Sequence, residues 1–187
     1  MVFQQKTEPS TIFVDRESNP VDLVFKTLAK HYRIAITGLP GVGKIELCNQ
    51  IVARARDVTK FYKGNFWLSA ETDTSIHLGL FEMARKMNLY NETDVDTEKI
   101  RQSVVNELNR EDDWLMVLDN VDDVDLVKSI LPERRGNRHV LITTRDRQMR
   151  NEIFAEEIHL DVMKNIEARH LLLRNYASDK RDNIWNQ

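Results

Sequence analysis

The run Gly38-Leu39-Pro40-Gly41-Val42-Gly43-Lys44 constrains this chain more than any other stretch. It follows Arg33-Ile34-Ala35-Ile36-Thr37, a β-prone segment that Pro40 and Gly41 forbid from continuing. It precedes Cys48, Ile51, Val52 and Ala55, whose offsets of three, four and seven line one face of a helix from about Lys44 to Arg56. Strand, glycine loop and helix in that order make a P-loop. Successive backbone N–H groups turn inward, the positive end of a helix faces the same point, and a lysine reaches β and γ phosphates. The full pattern ends in Gly-Lys-Ser/Thr, because that hydroxyl ligates the nucleotide's magnesium. Residue 45 is Ile, so phosphate binding is expected and hydrolysis is not.

The remaining elements alternate. Asn65 to Ala70 reads as a buried second strand, Thr74 to Met87 as a helix, and Asp96 to Arg110 as an amphipathic helix with Ile100, Val104 and Leu108 four apart. Trp114-Leu115-Met116-Val117-Leu118 has no polar alternation, which suits a parallel strand covered on both faces. A short helix at Leu126 to Leu131, a charged loop from Pro132 to Arg138, a strand at Val140 to Thr144, a weaker strand at Glu157 to Leu160 and a helix from Lys164 to Tyr176 complete the series. This order predicts a three-layer α/β/α P-loop NTPase fold with a five-stranded, mainly parallel sheet.

With 187 residues, 41% hydrophobic and 30% charged, one substantial core is expected. A net charge of -3 gives no overall basic field, so neither nucleic acid nor an anionic membrane is an expected partner. The single cysteine, Cys48, excludes an intrachain disulfide and suits packing on its helix face. With no secretory or membrane-spanning segment in view, a cytoplasmic protein is expected. The five histidines show no paired metal-ligand spacing, and no nucleophile elbow occurs.

Ligands of such sheets sit at the carboxyl ends of the strands, where Gly38, Asp119 and Arg145 each follow a predicted strand. Lys44 is expected to neutralise β and γ phosphate oxygens. Asp119 is the candidate magnesium carboxylate, its bland reading being a strand-end cap that faces solvent. Asn120 stands where many ATPases carry an acid that activates water, and an amide cannot take that proton. Asp122, Asp123 and Asp125 read as a solvated acidic loop, with cation binding or replacement of the missing acid as the sharper option. Arg145 is a γ-phosphate sensor or, more plainly, one of the surface cluster Arg145, Arg147, Arg150. Hydrogen bonds to charged groups contribute roughly 1.5 to 3 kcal/mol each and do not need the residue 45 side chain, so binding survives Ile45. Each missing preorganised catalytic group lowers the rate by roughly 10² to 10³, so turnover is slow or nil. The lack of an Asn-Lys-x-Asp motif leans the base towards adenine.

These motifs resemble the NB-ARC nucleotide-binding domain of STAND signalling ATPases, the switch of NOD-like receptors of innate immunity and cell death. Gly38 to Lys44 is similar to that family's Walker A, Leu115 to Asp123 to its Walker B, and Leu141 to Asp146 to its sensor 1. Ile12 to Glu17 resembles the segment that lies over adenine, contacting it largely through backbone at Val14 and Arg16. Three positions depart from the pattern: Ile45, Asp15 for glycine, and Asn120. The resemblance implies cofactor contacts at Val14, Arg16, Pro40, Gly41, Val42, Gly43, Lys44, Ile45 and Glu46, with Asp119 at the metal. It also implies ADP or ATP with weakened Mg²⁺ binding, and self-association within a longer receptor. The implied division is an adenine-proximal segment 1–24, a nucleotide-binding core 25–161 and the shortened start of a helical ARC-like subdomain at 162–187. The function expected is an adenine-nucleotide switch module, with a slow ATPase or general nucleotide phosphatase, and a scaffold that binds nothing tightly, as alternatives.

Overall fold

The computed structural model describes residues 10, 13–14, 16–57, 62–89 and 96–173. The elements run α1 (Pro20–Leu28), β1 (Arg33–Thr37), α2 (Lys44–Asp57), β2 (Gly64–Ser69), α3 (Asp73–Lys86), α4 (Thr97–Arg110), β3 (Trp114–Asp119), α5 (Val124–Lys128), β4 (Arg138–Thr144), α6 (Met149–Glu152) and β5 (Glu156–His159). Residues 165–173 are helical as well, within the helix expected from Lys164 to Tyr176, whose last residues lie outside the described part. The five strands form one sheet in the order β2-β3-β4-β1-β5, and every pairing is parallel rather than mainly so.

Successive side chains of a strand point to opposite faces, and here both faces are covered. Leu115 and Val117 of β3 join Ile34, Ile36 and Leu141 in a core under α1 and α2. Trp114, Met116 and Leu118 join Phe66, Leu68 and Ile142 in a second core under α3 and α4. Every residue of β3 is consequently buried. The helix ends are fixed by local chemistry: Asp96 is the N-cap of α4 rather than its first residue, and Thr72 with Ser75 forms a capping box on α3.

Two helices had no counterpart in the sequence reading. Asn19 caps α1 through its side chain, Pro20 occupies the first turn, and Val21, Val24 and Leu28 face the core. That start signal is legible in Asn19-Pro20 once sought. The four-residue α6 has no side-chain cap, and nothing in its composition announces it. β4 also begins two residues before its apolar run, because Arg138 and His139 are buried by specific partners. Arg138 donates to Asp112 at 2.7 Å. His139 Nδ1 lies 2.7 Å from the Tyr62 hydroxyl.

Burial holds His139 down at about 4 from an ordinary 6.5, against the opposing effect of a hydrogen bond to the Leu28 backbone. The folded state keeps this ring neutral at a pH where the unfolded chain has already protonated it. The stabilising difference is therefore whole above about pH 6.5 and declines as pH falls towards 4. Between pH 7.5 and pH 5 this single group is expected to remove about 2 kcal/mol of stability. Urea unfolding of the wild type and His139→Gln at both pH values checks it. The wild type should lose about that much more than the variant.

Candidate functional site

Because β1 pairs with β4 and β4 with β3, the carboxyl ends of these three strands lie side by side. The loops that leave them carry Gly38, Arg145 and Asn120, so the topology gathers residues more than a hundred positions apart. The P-loop begins where β5 closes on β1: the Leu160 N–H donates to the Thr37 carbonyl at 2.8 Å. Gly38 has φ +150, and a Cβ there would stand 2.4 Å from the Leu160 carbonyl oxygen. Only glycine fits that approach. Gly43, with φ +101, then turns the chain into α2.

α2 starts at Lys44, and the first four N–H groups of any helix have no partner within it. The Leu47 N–H reaches back to the Gly43 carbonyl at 2.9 Å, and the residues ahead of it, Lys44, Ile45 and Glu46, border a cavity of about 640 Å³ whose wall also includes Gly43, Asp119, Thr143 and Arg145. The Lys44 ammonium donates to the carbonyls of Gly38 at 2.7 Å and Leu39 at 3.0 Å, which holds it beside the cavity with a third donor in hand. Burial and the neighbouring Arg145 lower its pKa, while Asp119 and Asp122 pull the other way. Asp119 is 1% exposed at the end of the apolar strand β3. The Thr143 hydroxyl donates to its Oδ1 at 2.7 Å and accepts from the Asn120 N–H at 2.8 Å. Asn120 itself has φ +61, a left-handed conformation that Asn tolerates better than most residues.

A second cavity of about 390 Å³ adjoins the first, sharing Pro40, Gly41, Gly43 and Glu46 with it. Its wall is mostly apolar, with Phe13, Val14, Pro20, Leu160, Met163 and Leu171. Arg16 also reaches this wall, and its guanidinium donates to the carbonyls of Val42 in the loop and Asp161 after β5. Desolvation lowers the Arg16 pKa, against the attraction of Glu167 and Asp161. Glu167 in turn accepts the Glu17 N–H at 2.9 Å and the Lys164 N–H at 2.7 Å.

The structure thus groups Lys44, Asp119 and Arg145 around the polar cavity, and Val14 and Arg16 around the apolar one. Pro40, Gly41, Gly43 and Glu46 border both, Ile45 borders the polar cavity, and Val42 borders the apolar one. Arg147 and Arg150 are held away by Glu157, at 2.7 and 2.8 Å. The acidic loop is exposed, and each of its aspartates also has a partner: Asp122 pairs with Arg145, Asp123 caps α5, and Asp125 pairs with Lys128. Asp15 and Ile12 lie outside the described residues. Sequence reasoning missed Glu71 and Asn49 on the polar wall, and Met163 and Leu171 on the apolar one. None of the four belongs to a recognisable pattern.

These residues fit a nucleotide's anionic part, since a helix start, a positive-φ glycine turn and an ammonium converge on one cavity. The fit to Mg²⁺ is narrower. Ile45 presents carbon where an oxygen ligand would stand, and no cluster of three metal-binding side chains occurs among the described residues. Asp119 remains, and Mg²⁺ commonly relies on one or two carboxylates plus phosphate oxygens and water.

The sequence profile of the NB-ARC domain matches residues 18–183. The chain belongs to the NB-ARC domain family. Over 107 residues this NB-ARC domain is 31% identical to a nucleotide-binding leucine-rich repeat (NLR)-like protein of Hyaloscypha variabilis, covering 56% of this chain and 11% of that protein. Cdc6p of Pyrobaculum aerophilum superimposes with a TM-score of 0.67 at 13% identity, covering 93% of this NB-ARC domain and 52% of that chain. A STAND signal-transduction ATPase with a tetratricopeptide repeat sensor, from Pyrococcus horikoshii, gives a TM-score of 0.51 at 19% identity, over 90% of this domain and 26% of its own chain. At such identities the two structures speak to the fold alone, a three-layer P-loop NTPase with a five-stranded parallel sheet. No helix among the described residues is long and apolar enough to cross a membrane.

Two substitutions test how the site of this NB-ARC domain is held. Gly38→Ala is expected to lower stability by about 2 kcal/mol or more, since backbone must shift on both sides. Thr143→Val should remove about 1 to 3 kcal/mol by taking one hydrogen bond from the buried Asp119 carboxylate and the acceptor from the Asn120 N–H, and should leave the fold intact. Thermal unfolding monitored by circular dichroism measures both.

Proposed function

We propose that this domain is an adenine-nucleotide (ADP/ATP) binding switch module of a STAND or NOD-like signalling receptor, with weak or absent hydrolysis of its own. The observation that carries the reading is the pair of adjoining cavities, one polar and lysine-edged, the other apolar, joined along the P-loop. Phosphates would lie in the first against the N–H groups of α2, and the base in the second between Val14 and Leu160. Backbone groups at Val14 and Arg16 would read the base edge. Bound magnesium would supply charge neutralisation at the phosphates, held by Asp119 and water. The core 25–161 would bind, and residues from 162 onward would open the helical subdomain that responds. A membrane or nucleic-acid role has no support in these cavities, whereas self-association of a longer receptor agrees with the family.

The slow-ATPase or general-phosphatase alternative has one observation in its favour. Glu71, after β2, borders the same cavity as Asp119 and is a carboxylate able to accept a proton where Asn120 cannot.

Calorimetric titration with ADP and ATP, with and without magnesium, tests the proposal. Binding should be measurable with both, and Lys44→Ala should weaken it by about ten- to a hundredfold. Absence of heat with either nucleotide refutes the reading. Single-turnover phosphate release should be near background in the wild type and rise about tenfold or more in Ile45→Thr. A wild-type rate already matching that variant would favour the enzyme.

A further inference from the structure

We propose that Asp122 sets a preference for diphosphate over triphosphate by occupying and neutralising Arg145, the cation that a γ-phosphate would draw on. The inference rests on the adenine-nucleotide reading above. Arg145 borders the polar cavity at the end of β4, together with Lys44, Asp119 and Thr143. Asp122, on the turn between β3 and α5, engages it edge-on: Arg145 Nε donates to Oδ1 at 3.2 Å, and Nη2 donates to Oδ2. This paired fork is the geometry by which a guanidinium grips a phosphate. The carboxylate has taken the edge and the charge that a terminal phosphate would use.

The two arginines that follow Arg145 are engaged elsewhere. Arg147 and Arg150 are committed to Glu157, which is 5% exposed between them. Lys44 lies close enough to feel Arg145, so the cavity gathers two cations, of which Asp122 mutes one. A diphosphate gripped by the loop and Lys44 leaves the Arg145–Asp122 pair undisturbed. A triphosphate gains from Arg145 only what the pair gives up.

The test is a double-mutant cycle read by calorimetric affinity for ADP and for ATP in magnesium. Asp122→Asn keeps the shape and one acceptor while removing the charge. It should leave ADP affinity within error and raise ATP affinity about two- to fivefold, the scale of an exposed ion pair. In an Arg145→Ala background the same change should shift the ATP to ADP ratio by less than half as much. An undiminished gain in that background would mean plain repulsion of the phosphate and would overturn the proposal. So would a fall in the ATP to ADP ratio for Asp122→Asn, which would make Asp122 a guide for Arg145 rather than its competitor. Failure of the wild type to bind ADP would instead defeat the nucleotide reading itself, which separates the two outcomes.

Discussion

A parallel sheet covered by helices on both faces leaves its polar chemistry nowhere to go but the strand ends. That constraint organises this domain. β3 buries every residue, so its one charge, Asp119, stands at the last position and needs a partner there. Thr143, one strand across, supplies it with a hydroxyl that also ties down the Asn120 N–H. A carboxylate without such a donor would carry a large desolvation penalty. The β3–β4 pairing is thus a precondition of the site as well as of the core.

Much of this was legible in the residues. Strands β1 to β4 and helices α2 and α4 could be placed from their apolar pattern, because burial on two faces gives continuous apolar runs and burial on one gives offsets of three and four. What escaped notice followed from two physical causes. α1 precedes the loop and has only nine residues, so its apolar stripe is short and its start signal, Asn19-Pro20, carried the information. The apolar cavity is assembled from Phe13, Val14, Leu160, Met163 and Leu171, residues that meet only in three dimensions. A motif search reads along the chain and has no access to such a surface.

Side-chain partnerships were the least visible layer. A run of aspartates after a strand looks like a solvated loop until each is seen with its own partner, one capping a helix and two pairing with bases. The unusual Asn120 has a backbone reason independent of catalysis, since its positive φ favours Asn among side chains. Ile45 has no such reason. It is 41% exposed at the cavity wall, and nothing in its packing calls for a branched hydrocarbon.

Arg16 has a mechanical consequence. One guanidinium bonds to the carbonyl of Val42 and to that of Asp161, groups that lie 26 and 145 residues from it along the chain. Asp161 stands just ahead of the helix at 165–173, and Glu167 of that helix binds back to Glu17, next to Arg16. The glycine loop and the exit of the last strand are therefore tethered as one body. Swinging the helix at 165–173 away would either drag the loop carbonyl with it or break two bonds of a buried cation.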